Sequence, residues 1–168
     1  MKFLTSGKVK DLYDVDENSL LFEFSDRVSA YDVKFSQDIP KKGKVLCRFA
    51  EFWFDKLEVS NHFISRESDT TILVKKMKMI PMECVVRGYF YGSLIGRWKN
   101  GSIQLPDNTD TTLAAKLTKP LFDPTTKSEH DVPVDKEMAL EMNLVSEEQY
   151  VWLEKTSIDI YERMASVA

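Results

Sequence analysis

The sequence predicts an α+β fold that is dominated by an antiparallel sheet with packed helices. Segments with strand character follow one another between residues 2 and 86, and only one segment among them has clear helical periodicity. A doubly wound parallel sheet would instead need helices that alternate regularly with strands. A second strong helix comes late in the chain, where Ser146 opens a capping-box sequence.

The first predicted elements are a β-hairpin and a helix. Residues 2–15 alternate loosely between apolar and polar side chains, residues 14–19 are rich in turn formers, and residues 20–24 form a second apolar strand. Gly7 lies inside the first of these predicted strands. Residues 43–57 carry apolar side chains at helical spacing, which predicts an amphipathic helix. The apolar positions of this helix are Val45, Leu46, Phe49, Phe52, Trp53 and Leu57.

The middle of the chain is predicted to contain more strands, a short helix and a loop. Strands are expected at residues 61–65, 71–74 and 82–86, and a short helix at residues 92–98. Residues 100–128 are polar and contain three prolines, which favours a long loop with a functional role.

The last predicted helix begins after Ser146 and runs to the end of the chain. Because the sequence stops inside or directly after this helix, with no cap and no further strand, we expect it to be truncated at its C-terminus. We therefore predict an amino-terminal antiparallel subdomain over residues 1–80 and the start of a second, incomplete subdomain over residues 81–168.

Composition and charge exclude several classes of protein. The chain has 23 lysines and arginines against 27 acidic residues, so its net charge of −4 gives no support for nucleic-acid binding. It lacks a signal peptide and any apolar stretch of the ~20 residues that cross a membrane, so we expect a soluble cytoplasmic protein. Cys47 and Cys84 lack metal-ligand spacing and are interpreted as reduced, buried thiols. His62 and His130 also lack partners at metal-ligand spacing, so neither is assigned as a metal ligand or a general base.

Two lysines near the amino terminus form a candidate phosphate site. Lys8 and Lys10 are two residues apart on the predicted glycine-containing strand, so both side chains would project from one face of the sheet. Two ammonium groups beside an accessible backbone can hold a phosphate. A pair of solvated lysines on an edge strand explains the same spacing.

Residues 73–81 join a predicted strand to a connection that ends in a proline. Methionines that flank such an extended linker could line an adenine slot, while the backbone of the linker hydrogen-bonds the edge of the base. Ordinary core packing is the alternative.

Residues 81–93 are the most informative run. Arg87 ends a predicted buried strand, and Ser93 stands at a predicted helix start, an arrangement suited to a phosphate or a carboxylate. An arginine paired with a surface acid and a serine that only caps the helix is the structural alternative. Residues 26–32, which include Ser29 and Asp32, could bind a polar ligand or stabilise a turn.

Four segments, in order along the chain, resemble one known family, the SAICAR synthetases of purine biosynthesis. They are GKVKDLYDV, SDRVSAYDV, LVKKMKMIPMECVVRGYFYGS and PLFDPTTKSEHD. Several motifs in register are far more specific than any one of them, and the run from PMECVVRGY to GS is the strongest. The resemblance implies a fold related to the ATP-grasp enzymes, with an antiparallel amino-terminal sheet over the nucleotide.

The resemblance also implies a reaction and a set of site residues. The family uses ATP and Mg²⁺ to join L-aspartate to the carboxylate of carboxyaminoimidazole ribonucleotide, and it releases ADP and phosphate. The resemblance implies that Arg87 and Ser93 hold the phosphate of the ribonucleotide, and that Ser29 and Asp32 border the pocket for this substrate. The implied ATP-binding residues are Lys8, Lys10, Leu12, Val74, Lys76, Met79 and Lys127. We expect small-molecule partners and a possible homo-oligomer, with no nucleic acid and no membrane.

One departure from the family pattern affects activity. The acidic metal-binding motif of the family would follow the last helix, beyond Ala168, so no metal ligand is assigned within the chain. We therefore expect this chain alone to bind magnesium–ATP poorly and to turn over little. A kinase-like phosphotransferase could use the same lysines but should show HRD-type and DFG-type motifs, which the sequence lacks. A non-catalytic nucleotide-binding module is the other alternative.

Overall fold

The computed structural model describes residues 1–30, 33–128 and 131–168. Two positions considered above, Asp32 and His130, therefore lie outside the described residues. The chain divides into two units, Met1–Lys78 and Met79–Ala168.

A five-stranded antiparallel sheet forms the first unit. The elements of this unit are β1 (Lys2–Ser6), β2 (Lys10–Asp14), β3 (Ser19–Phe24), β4 (Ser29–Ala30), β5 (Val33–Lys34), α1 (Lys42–Lys56), β6 (Phe63–Arg66) and β7 (Thr71–Lys75). The sheet has the spatial order β1-β2-β3-β7-β6, and β4 pairs separately with β5. All of these pairings are antiparallel, which confirms the predicted class of sheet.

The predicted hairpin is a three-stranded meander instead. The segment from residue 2 to residue 15 turns back on itself, and Gly7 lies in the turn between β1 and β2 rather than inside a strand. The amide of Gly7 donates to the carbonyl of Lys10 at 2.8 Å, which closes this turn. The turn between β1 and β2 is too short to interrupt the alternation of apolar and polar side chains. The sequence pattern therefore predicts one continuous strand.

The buried side of helix α1 agrees only in part with the predicted apolar positions. Its buried side follows Gly43, Cys47, Ala50 and Phe54, which are spaced for one face of a helix. Small residues near the start of the helix let it lie close to the backbone of Phe24. Of the six predicted apolar positions, Leu57 is buried, Leu46 and Trp53 are half-buried, and Val45, Phe49 and Phe52 are exposed.

The second unit has two small sheets and three helices within its described residues. Its elements are β8 (Met82–Glu83), β9 (Val86–Tyr89), α2 (Ser93–Lys99), β10 (Lys116–Phe122), β11 (Thr125–Thr126), α3 (Lys136–Glu141) and α4 (Glu147–Val167). Strand β9 pairs with β10 and β8 with β11, both antiparallel. The capping box predicted at Ser146 is present, since its hydroxyl accepts from the amide of Gln149 while the Gln149 side chain accepts from the Ser146 amide.

Three predictions about the strands of the second unit are wrong. The strand expected over residues 82–86 is divided into β8 and β9, which pair with different partners, and Arg87 lies within β9 instead of at a strand end. The predicted loop over residues 100–128 contains β10 and β11. Proline usually argues against a strand, but Pro120 lies in the part of β10 where the pairing with β9 is irregular, between Lys116 and Leu121.

Each unit has its own buried apolar residues. In the first unit they are Ile72 and Val74 of β7, Cys47 of α1 and Leu57 directly after α1. In the second unit one cluster is built by Met82, Val134, Ala139, Val145, Tyr150 and Leu153, and another by Phe90, Leu94 and Leu117. Cys47 is buried as predicted, whereas Cys84 is exposed. Among the described residues, no helix is both long enough and apolar enough to span a bilayer.

Two glycine-to-alanine changes should shift stability in opposite directions. A Cβ at position 43 would lie 2.6 Å from the carbonyl oxygen of Phe24, so we expect Gly43→Ala to lower the free energy of unfolding by about 1–3 kcal/mol. A Cβ at position 96 meets nothing within 4 Å, so Gly96→Ala in α2 should raise it by up to about 1 kcal/mol. Urea unfolding followed by circular dichroism measures both, and stabilisation by Gly43→Ala would contradict the packing of α1.

His62 should make the first unit sensitive to acid. Its ring lies edge-on to those of Phe22 and Phe54, and burial, with a smaller contribution from the charge of Lys10, lowers its pKa. The folded state then binds fewer protons than the unfolded state at pH values just below the ordinary histidine pKa, so stability falls as the pH drops through that window. We expect His62→Gln to flatten the slope of unfolding free energy against pH between pH 7 and pH 5 in urea titrations. An unchanged slope would show that His62 is not the responsible group.

Candidate functional site

The turn between β1 and β2 presents the two lysines that were predicted to hold phosphate. Lys8 lies in the turn and only Lys10 lies on β2, so the expectation that both share one strand face is wrong. The turn is fixed by hydrogen bonds to its carbonyl groups. Arg27 donates to the carbonyl of Gly7 at 3.2 Å, and the amide and hydroxyl of Ser25 donate to the carbonyl of Val9 at 2.9 and 3.0 Å.

The charged segment after β3 mainly supports this turn and helix α1. Arg27 forms a two-pronged ion pair with Asp11, at 2.7 and 3.1 Å, and its hydrogen bonds lower the pKa of the Asp11 carboxyl. Asp26 accepts hydrogen bonds from the amides of Lys41 and Gly43, which satisfies donors at the start of α1. These contacts support the structural alternative for Asp26 and Arg27. Ser29 lies in β4, and Asp32 is outside the described residues.

Several predicted ATP-binding residues share one face of the first sheet. Lys10 pairs with Phe24, Leu12 with Phe22 and Leu20 with Val74, and opposed residues of an antiparallel ladder point to the same side. The ammonium of Lys10 lies 4.0 Å from the centre of the Phe22 ring.

The edge of this face holds Lys76, while Val74 is part of the core. The ammonium of Lys76 donates to Asp14 at 2.7 Å and to the carbonyl of Asp16 at 3.0 Å. The side chain of Val74 is buried beneath α1, so it packs as a core residue. Met79 is exposed and belongs to the second unit.

In the second unit, Arg87 and Ser93 are held together. Nη2 of Arg87 donates to the hydroxyl of Ser93 at 3.0 Å, and Nε of Arg87 donates to Asp123 at 2.6 Å. Ser93 is the first residue of α2, and Gly92 occupies the cap position, where its φ of 65° favours glycine. The serine is therefore not the helix cap, and the partner of the arginine is a buried carboxylate rather than a surface one.

The arginine–serine pair belongs to a larger cluster that sequence reasoning missed. Asp123 also accepts a hydrogen bond from Nη1 of Arg97, and the amide of Asp123 donates to the carbonyl of Val85 at 2.8 Å. The side chain of Asp123 is only 2% exposed, so its charge is almost fully desolvated. One signal could have found Arg97, because it lies four residues after Ser93 on the same helix and so shares a face with it. No pattern in the sequence around Asp123 indicates that its side chain belongs to this cluster.

A cavity of about 710 Å³ adjoins this cluster. Arg97 and Asp123 line it together with Asp135 and Tyr150. Burial raises the pKa of Tyr150 to about 12, so its hydroxyl stays protonated at neutral pH and can donate a hydrogen bond. Asp135 already caps α3 by accepting from the amide of Met138 at 2.8 Å.

Lys127, the last predicted ATP-binding residue, follows β11. Its ammonium donates to Glu83 at 2.8 Å, and both side chains are substantially exposed. An ion pair this exposed adds little stability, so a ligand phosphate could compete for the lysine.

Comparisons with known proteins agree with one another. A family model described as SAICAR synthetase matches residues 3–168. The chain is 75% identical over 167 residues to a phosphoribosylaminoimidazole-succinocarboxamide synthase from Nitrosopumilus maritimus, with 99% of this chain and 61% of that protein covered. It is 36% identical to the synthase of Candida maltosa, with 98% of this chain and 62% of that protein covered.

Solved structures show the same fold. SAICAR synthase from Saccharomyces cerevisiae, in complex with SAICAR, superposes with a TM-score of 0.82 at 30% identity. The superposition covers 96% of this chain and 61% of the yeast chain. A SAICAR synthetase in complex with ADP superposes with a TM-score of 0.80 at 24% identity, with 95% of this chain and 66% of that chain covered, which supports the fold alone. The chain thus spans about three fifths of the length of the curated relatives it matches. With a family model that matches nearly all of its residues, the chain belongs to the SAICAR synthetase family.

Proposed function

We propose that this chain takes part in the ATP-dependent joining of L-aspartate to the carboxylate of carboxyaminoimidazole ribonucleotide, with release of ADP and phosphate. Family membership supports the proposal, and so does the product named for the yeast structure. The observation that carries it is the fixed pair of Arg87 and Ser93, a guanidinium and a hydroxyl 3.0 Å apart at the first turn of α2. Such a pair is suited to the phosphate of a ribonucleotide.

Different sets of residues are proposed to bind the two substrates. The turn that carries Lys8 and the strand position of Lys10 are assigned to the phosphates of ATP, and Leu12, Lys76 and Met79 to the rest of the nucleotide. Val74 is left out of the assignment because its side chain is buried in the core of the first unit. Arg87 and Ser93 are assigned to the phosphate of the ribonucleotide. Lys127 is assigned to ATP, whose binding would replace the ion pair of Lys127 with Glu83.

The proposed chemistry needs activation, because a carboxylate is a poor acyl donor. The γ-phosphoryl group would pass from ATP to a carboxylate oxygen of the ribonucleotide, so that the bond to ADP breaks and an acyl phosphate forms. The amine of aspartate would then attack the acyl carbon, form the C–N bond, expel phosphate and lose a proton. No covalent protein nucleophile is needed. The role of the chain is to align the reactants and to neutralise their charge.

Magnesium is implied by the resemblance, but the described residues do not supply a site for it. Among residues 1–30, 33–128 and 131–168, no group of three or more histidine, cysteine or acidic side chains is placed to hold a metal ion. We therefore assign no step of the reaction to a metal ligand of these residues. The described residues provide cationic side chains that can hold phosphate groups.

Two single substitutions should separate the two proposed substrates. We expect Arg87→Met to weaken binding of carboxyaminoimidazole ribonucleotide by at least about tenfold and to leave ATP binding nearly unchanged, because one charged hydrogen-bond donor is removed from one phosphate. Lys10→Met should weaken ATP binding and leave binding of the ribonucleotide nearly unchanged. Titrations followed by NMR chemical shifts measure both affinities even when they are weak. Equal losses for both ligands in either variant would contradict the assignment.

Turnover is tested directly by mass spectrometry. The chain is incubated with ATP, L-aspartate and the ribonucleotide, and the succinocarboxamide product is sought. Product formation supports catalysis by the chain itself. Binding of both ligands without product would favour the alternative of a non-catalytic nucleotide-binding module.

A further inference from the structure

The proposed anion site of the second unit has a negative charge beside it. One oxygen of Asp123 lies 2.6 Å from Nε of Arg87, and the carboxylate is almost completely shielded from water. Opposite charges this close offset each other's field at a distance, and low local polarity strengthens the effect. Arg87 and Asp123 alone would therefore form a nearly neutral pair with little attraction for a phosphate.

Arg97 changes this balance of charge. Its Nη1 donates to the other oxygen of Asp123, so the carboxylate lies between two guanidinium groups. The side chain of Arg97 is itself mostly buried, at 19% exposure. The three groups together carry one net positive charge, and that excess can act on an anion beside Arg87 and Ser93.

We infer that Arg97 keeps the Arg87 site attractive to phosphate by neutralising the buried carboxylate of Asp123. This inference rests on the proposed function, because it takes the ribonucleotide phosphate as the ligand of Arg87 and Ser93. Arg97 acts through Asp123 and is a positioning residue. The competing explanation is purely structural, namely that Arg97 only ties α2 to the end of β10.

The first test removes the charge of Arg97 in the 168-residue chain. The probes are 5-aminoimidazole-4-carboxamide ribonucleotide, a stable ribose 5′-phosphate, and the corresponding nucleoside without phosphate. We expect Arg97→Met to weaken binding of the ribonucleotide by at least about tenfold and to leave nucleoside binding unchanged. Arg163→Met, which removes one positive charge from exposed α4 in the same unit, is the matched control and should change neither affinity. Wild-type affinity for the ribonucleotide in Arg97→Met overturns the inference.

The second test restores the balance of charge without restoring the arginine. Adding Asp123→Asn to Arg97→Met returns the cluster to one net positive charge and should recover ribonucleotide affinity to within about threefold of wild type. A structural role predicts no recovery, because the second change removes another part of the network. A folded double variant that binds no better than Arg97→Met overturns the inference.

A conservative variant decides the case if the double variant fails to fold. Arg97→Lys keeps the charge and should bind the ribonucleotide within about threefold of wild type, whereas binding as weak as that of Arg97→Met overturns the inference. Arg87→Met separates this inference from the proposed function. If that variant binds the ribonucleotide normally, the proposed function fails. If it loses binding while Arg97→Met does not, only the role of Arg97 fails.

Discussion

The buried carboxylate of Asp123 is the constraint on which the candidate site of the second unit depends. Moving a carboxylate out of water costs several kcal/mol, and this cost is recovered only when the charge is paired and well hydrogen-bonded. Asp123 meets both conditions through Arg87 and Arg97, one on each oxygen. Because Arg87 lies on β9 and Arg97 on α2, the same carboxylate fixes the strand to the helix. It thereby fixes the distance between Arg87 and Ser93.

The first unit presents its cations in a different way. There, hydrogen bonds hold the backbone of the turn that leads from Lys8 to Lys10. The carbonyls of Gly7 and Val9 accept hydrogen bonds from Arg27 and Ser25. A turn with a fixed backbone and two lysines close together in sequence suits a ligand such as a polyphosphate, whose charge is spread over several groups. A guanidinium held at both ends suits a single phosphate in one orientation.

The sequence predicted most of the helices and strands, since their signals are local. The capping box at Ser146 and the helical spacing over residues 43–57 depend on neighbouring residues and are confirmed. The buried face of α1 was predicted only in part, because it depends on what the helix lies against. Gly43 and Cys47 face the sheet, although Phe49 and Phe52 are more hydrophobic. Burial therefore followed the closest approach of two backbones, a long-range property that the periodicity of α1 does not contain.

The candidate site shows the same limit of local information. Arg87 and Ser93 could be found because they lie six residues apart in one motif. Asp123 lies 36 residues beyond Arg87, and only the pairing of β9 with β10 brings the two together. The sequence motif thus identified the groups suited to a phosphate, but not the carboxylate that determines whether their charge is available. A residue-type argument counts Arg87 as one positive charge, whereas the structure shows a cluster whose net charge depends on Arg97 as well.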